Sequence, residues 1–95
     1  MNILQVKAEL EHLFKIELEQ DNQGGKSFSY ELETKRADYL YILHEVADSI
    51  RVIYEIYSHT TRASFSCSEN IEYIGKLETF YDKVQELNKI AKQYL

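Results

Sequence analysis

With 95 residues, 44% of them hydrophobic and 28% charged, the chain is sized for one domain and has the composition of a folded protein rather than a disordered one. A formal charge of −5 works against the clustered Lys and Arg by which proteins hold nucleic acid, so direct DNA or RNA binding is not expected. The single cysteine excludes an intramolecular disulfide, and no stretch has the make-up of a signal peptide or approaches the roughly 18 apolar residues of a membrane span; a cytoplasmic protein without membrane contact is the expectation.

Residues 2–13 place Ile3, Val6, Leu10 and Leu13 at spacings of three and four, which predicts an amphipathic helix. From Phe14 the period drops to two. Phe14, Ile16 and Leu18 alternate with Lys15, Glu17 and Glu19; after Asp21-Asn22-Gln23-Gly24-Gly25, Phe28, Tyr30 and Leu32 alternate with Ser27, Ser29, Glu31 and Glu33. Strands near 14–19 and 27–33, joined as a hairpin, follow from that pattern. Setting Phe14 opposite Leu32 and Leu18 opposite Phe28 also puts Lys15 across from Glu31, a register that suits both faces.

Between 38 and 58 the sequence supports two readings. His44, Asp48, Arg51 and Glu55 recur at helical spacing, and a single helix there would give a β-hairpin plus three helices. The density of Tyr, Ile and Val favours instead two strands, near 39–46 and 50–57, around Ala47-Asp48-Ser49. Glu45 would then oppose Arg51, Tyr41 oppose Glu55 and Tyr39 oppose Tyr57, with even-numbered residues inward in all four strands. A fifth strand over 62–67 is a further candidate, although Phe65 and Cys67 would break the parity without a bulge. Over 69–93 an apolar stripe from Ile71 to Ile90 predicts a long C-terminal helix with Ser68 as its N-cap and Gly75 as an interruption. The expected fold is α+β: an antiparallel β-meander of four or five strands, covered on one face by the N-terminal helix (2–13) and the long C-terminal helix (69–93).

Gly24-Gly25-Lys26-Ser27 looks like the end of a phosphate-binding loop, but Gln20 stands where that motif needs a glycine and a strand follows instead of a helix; it reads as a hairpin tip. His12, His44 and His59 lack the paired spacing of zinc ligands, and His44, at an even position, is expected to point toward the helices. No local motif holds His59 beside Cys67, which reads as a small buried hydrophobe. An RNA-cleaving centre would draw on Arg51, His59, Arg62 and Tyr57, against the acidic balance of the chain. No catalytic group, metal or cofactor is expected.

What remains is the odd-numbered face, with Glu17, Glu19, Glu31, Glu33, Glu45 and Glu55 beside Lys15, Arg51 and the tyrosines Tyr39, Tyr41 and Tyr57. Glutamates on a strand face are first of all a solvated surface. Tyrosines among them are the anchors that protein interfaces use, and surrounding carboxylates steer toward a basic partner. The expected function is a small acidic, non-enzymatic protein-binding module, an inhibitor or immunity-type antagonist of a basic, nucleic-acid-handling protein. Its contact residues would be Glu17, Glu31, Glu33, Tyr39, Tyr41, Glu55 and Tyr57. The chain resembles small acidic inhibitors, immunity proteins and phage-encoded nuclease antagonists in size, charge and layer order, a likeness that implies no residue role. A homo-oligomeric structural or accessory subunit is the second reading, and an RNA-cleaving enzyme the third.

Overall fold

In the computed structural model, which describes residues 1–21 and 26–95, the apolar-rich middle of the chain is strand throughout. The tip residues Asn22, Gln23, Gly24 and Gly25 lie outside the described residues. Helix α1 (Ile3–Phe14) leads into strands β1 (Glu19–Gln20), β2 (Ser27–Glu33), β3 (Ala37–Val46), β4 (Ser49–Ser58) and β5 (Ser64–Asn70), then helix α2 (Lys76–Ala91) and a final 3-10 turn (Lys92–Tyr94). The strands form one antiparallel sheet in the order β1-β2-β3-β4-β5, a meander with the helices on one face. The α+β fold, with its five-stranded sheet and terminal helices, is the one expected from the sequence; the single helix over 38–58 is not formed.

Three local expectations are corrected. The strand expected over 14–19 is reduced to Glu19–Gln20, because α1 runs on to Phe14 and closes on Lys15 in the left-handed conformation (φ 56°). The Ile16 N–H then donates to the Glu11 carbonyl and the Leu18 N–H to the Glu11 carboxylate at 2.8 Å, so these donors bond to the helix instead of to β2. Glu19 opposes Ser29 and Gln20 opposes Phe28, two residues from the expected register.

The second correction concerns which side chains face the helices. Val46 pairs with Ser49 across a two-residue tip, Ala47-Asp48, in which both residues have positive φ (46° and 64°), as a type I′ turn requires. The expected three-residue tip would have kept parity; a two-residue tip reverses it. The β2–β3 tip, Lys35-Arg36, is also even in length, closed by the Thr34 N–H donating to the Ala37 carbonyl, and so is the β4–β5 tip 59–62. Inward positions are therefore even in β2, odd in β3, even in β4 and odd in β5. Phe65 and Cys67 reach the helix side with no bulge.

Third, the expected helix 69–93 begins only at Lys76, with Gly75 and not Ser68 as its N-cap, because Ser68, Glu69 and Asn70 are taken into β5 opposite Ile53, Val52 and Arg51. The Arg51 guanidinium holds that end of β5, donating to Asn70 at 2.9 Å and to Ser68 at 2.8 Å.

The core lies between sheet and helices: Val6 and Leu10 of α1, Leu43, Val52, Tyr54 and Ile56 of the sheet, and Leu77, Phe80 and Val84 of α2 are all essentially inaccessible. Phe14, the residue that ends α1, stacks within 5.6 Å of the rings of Tyr41, Phe80 and Tyr81. Tyr54 crosses the core to donate from its hydroxyl to Asn88 of α2 at 2.6 Å. At the far end the buried Ser58 hydroxyl donates to the Tyr94 carbonyl, fastening the chain's last turn to the β4–β5 tip. Among the described residues no helix is long and apolar enough to cross a membrane.

Candidate protein-docking face

The face of the sheet turned away from the helices is a grid that the registers define. One cross-strand row holds Glu33, Asp38, Tyr57 and Ser64; the next, Glu31, Leu40, Glu55 and Ser66. A third row holds Ser29, Ile42, Ile53 and Ser68, with Glu19 of β1 beyond Ser29, and a fourth holds Ser27, His44, Arg51 and Asn70. Strands about 4.8 Å apart and same-face residues roughly 7 Å apart along each strand set the mesh of this grid.

Its composition changes from end to end. Four carboxylates, from Glu31, Glu33, Asp38 and Glu55, occupy the first two rows. Leu40, Ile42 and Ile53 form an aliphatic middle that the sheet only half buries. His44 and Arg51 occupy the last row. At the acidic end a hollow of about 390 Å³ is lined by Glu31, Asp38, Leu40, Glu55, Tyr57 and Ser66, with Tyr39 and Phe65 also at its border, so that carboxylates and aromatic residues surround an aliphatic floor. Asp38 accepts from or pairs with the His59 imidazole at 2.9 Å, and the Tyr57 ring meets that imidazole edge-on at 5.4 Å. The backbone N–H of His59 donates to the Arg36 carbonyl, which ties the two hairpin tips together beneath this end.

Of the residues expected to make contacts, Glu31, Glu33, Glu55 and Tyr57 come together at the acidic end of the open face. Glu17 precedes β1 and, with Glu19 and Ser29, borders a smaller hollow of about 310 Å³ against Glu31 at the sheet edge. Tyr39 and Tyr41 do not join them: the reversal of parity in β3 turns both toward the helices. The Tyr41 ring packs at 4.9 Å from Tyr54 and 5.1 Å from Phe14, and burial pushes its hydroxyl pKa up to about 12. His44, expected to point at the helices, lies on the open face opposite Arg51. Glu45 is moved to the helix side, so its expected pairing with Arg51 is not made.

Asp38, Leu40, Ile42 and His44, the even-numbered residues of β3, are the open-face residues that an odd-and-even reading of the sequence assigns to the wrong side. Even-length tips at the β2–β3, β3–β4 and β4–β5 hairpins are the signal that finds them.

Other chemistry-bearing groups are dispersed. Cys67 faces the helices opposite Tyr54, and burial raises its thiol pKa, whereas His59 sits in the β4–β5 tip beside the open face, so the two are not brought together. Arg51 lies at the opposite end of the face from Tyr57 and His59. Among the described residues no three His, Cys, Asp or Glu side chains converge as metal ligands would. Glu69, on the helix side of β5, pairs with Lys83 of α2 at 2.7 Å, and that bond holds its carboxyl below the usual range.

No protein-family model, no curated protein and no solved structure matches this chain.

Proposed function

We propose that the chain is a small cytoplasmic, non-enzymatic binding protein that docks the acidic end of its open sheet face onto a basic surface of another protein, one that handles nucleic acid, and inhibits it by occupying the site. The observation that carries this reading is the gathering of Glu31, Glu33, Asp38 and Glu55 around Leu40 and Tyr57, in two adjacent cross-strand rows of the sheet. Carboxylates held so close repel one another, and an incoming row of Lys or Arg relieves that repulsion while speeding encounter. Leu40 beneath them offers apolar area for the alkyl stems of those side chains, and the Tyr57 ring a face for a cation.

A fluorescently labelled oligolysine peptide serves as the surrogate for such a surface. Binding followed by anisotropy is expected to weaken with Tyr57→Ala and to be largely lost with the Glu31→Lys, Glu33→Lys pair, both variants keeping the circular dichroism of the parent. Peptide affinity unchanged by both variants would remove the reading.

A further inference from the structure

We infer that two copies of this chain associate through the open face, with their strands antiparallel, so that the acidic end of each covers the basic end of the other. The inference rests on the reading of this face as a docking surface, and it names the occupant when no other partner is bound.

The face is graded along its strands: carboxylates of Glu31, Glu33, Asp38 and Glu55 at one end, Leu40, Ile42 and Ile53 in the middle, His44 and Arg51 at the other. A homodimer built on a two-fold axis must pair this surface with itself. An axis running along the strands would stack acidic end on acidic end, which like-charge repulsion forbids. An axis running across the strands, between Leu40 and Ile42 on β3 and between Glu55 and Ile53 on β4, reverses the strand direction instead. Asp38 then falls over His44 of the second copy, Leu40 over Ile42, and Arg51 over Tyr57 within reach of Glu55. The two-fold axis makes every such contact twice. Arg51 is already held in place by its bonds to Asn70 and Ser68, which reduces the ordering its pairing would require.

Size sets the strength. Four strands and four rows cover an area that buries on the order of 1,000 Å² in total when two copies meet. That is the low end for a specific interface, so the dimer is reversible and a tighter basic partner displaces it. The net charge of −5 on each copy opposes approach at low salt, and physiological salt, with a screening length of about 8 Å, leaves the local pairs in control.

Sedimentation velocity of the full chain at physiological salt, from low micromolar to millimolar, tests the inference. A monomer–dimer equilibrium is expected, weakened about tenfold or more by Arg51→Glu and likewise by Glu55→Arg. An equimolar mixture of the two variants is expected to recover the wild-type affinity. In the mixed dimer the two substituted side chains face each other with their charges exchanged, while the unaltered Arg51 of one copy meets the unaltered Glu55 of the other. A monomer at every concentration, or a dimer indifferent to Arg51→Glu, overturns the inference. A monomeric chain that still binds oligolysine would remove self-association alone, whereas a dimer that never binds oligolysine would remove the docking function and leave the dimer standing.

Discussion

Glu31 and Glu55 flank Leu40 in one cross-strand row, so a half-buried aliphatic side chain lies between two exposed carboxylates. Leu40, Ile42 and Ile53 together leave apolar area in water that burial would reward at about 25 cal/mol per Å². A face that served only to keep the sheet wet would gain nothing by holding them there. Acidic, aliphatic and basic zones in sequence along the strands are what a docking surface uses for steering, adhesion and orientation.

Tyr57 and Tyr41 should separate the two faces. Tyr57→Ala is expected to weaken oligolysine binding with little change in melting temperature, since the residue is 36% exposed. Tyr41→Ala removes a ring packed among Phe14, Tyr30 and Tyr54 and is expected to cost about 3 kcal/mol. Thermal denaturation alongside the binding assay checks both, and the reverse pattern would place Tyr41 on the open side.

At the β3–β4 tip, Ala47 sits at φ 46°, a left-handed conformation that a residue with a Cβ adopts at a cost. Ala47→Gly is therefore expected to stabilise the protein by about 0.5 to 1 kcal/mol, raising the melting temperature of a domain this size by several degrees. A loss of stability would mean that the tip is not the two-residue turn on which the face assignment depends.

Much of this was legible in the residues. The amphipathic spacing of Ile3, Val6 and Leu10 marks α1, and the strict alternation from Ser27 to Glu33 marks β2 with its face correctly assigned. What could not be read was β3, where Tyr39, Leu40, Tyr41, Ile42 and Leu43 are apolar at every position and parity carries no signal. Its orientation is set by the tips on either side, and Ala47-Asp48 lacks the Asn-Gly signature that usually announces a two-residue turn. Residues 14–18 misled for another reason: Phe14, Ile16 and Leu18 suit a strand, but Glu11 takes up two of the backbone N–H groups that a ladder would need.

Two tyrosines link stability to alkaline pH. Burial raises the pKa of Tyr41 to about 12 and drives that of Tyr54 higher still, against an ordinary value of 10.0 in the unfolded chain. The neutral hydroxyls are thus favoured by folding, and their contribution is whole below about pH 10 and lost as pH rises through 12. Ultraviolet titration of the eight tyrosines should show a late group that ionises together with unfolding. Early titration of every tyrosine in the folded protein would contradict the burial of these two.

Tyr54 also offers a test of the tie between sheet and α2. Tyr54→Phe leaves the Asn88 side chain without its 2.6 Å donor and is expected to cost about 1 to 2 kcal/mol in denaturant unfolding. An unchanged midpoint would show that this bond does not anchor the helix.

The open sheet face, and not a helix, is expected to meet the partner. Chemical-shift mapping of the isotope-labelled chain during titration with unlabelled oligolysine addresses it most directly. The largest changes are expected at Glu31, Asp38, Leu40, Glu55 and Tyr57, with α2 unaffected. Changes confined to α1 and α2, or no changes at all, would contradict it.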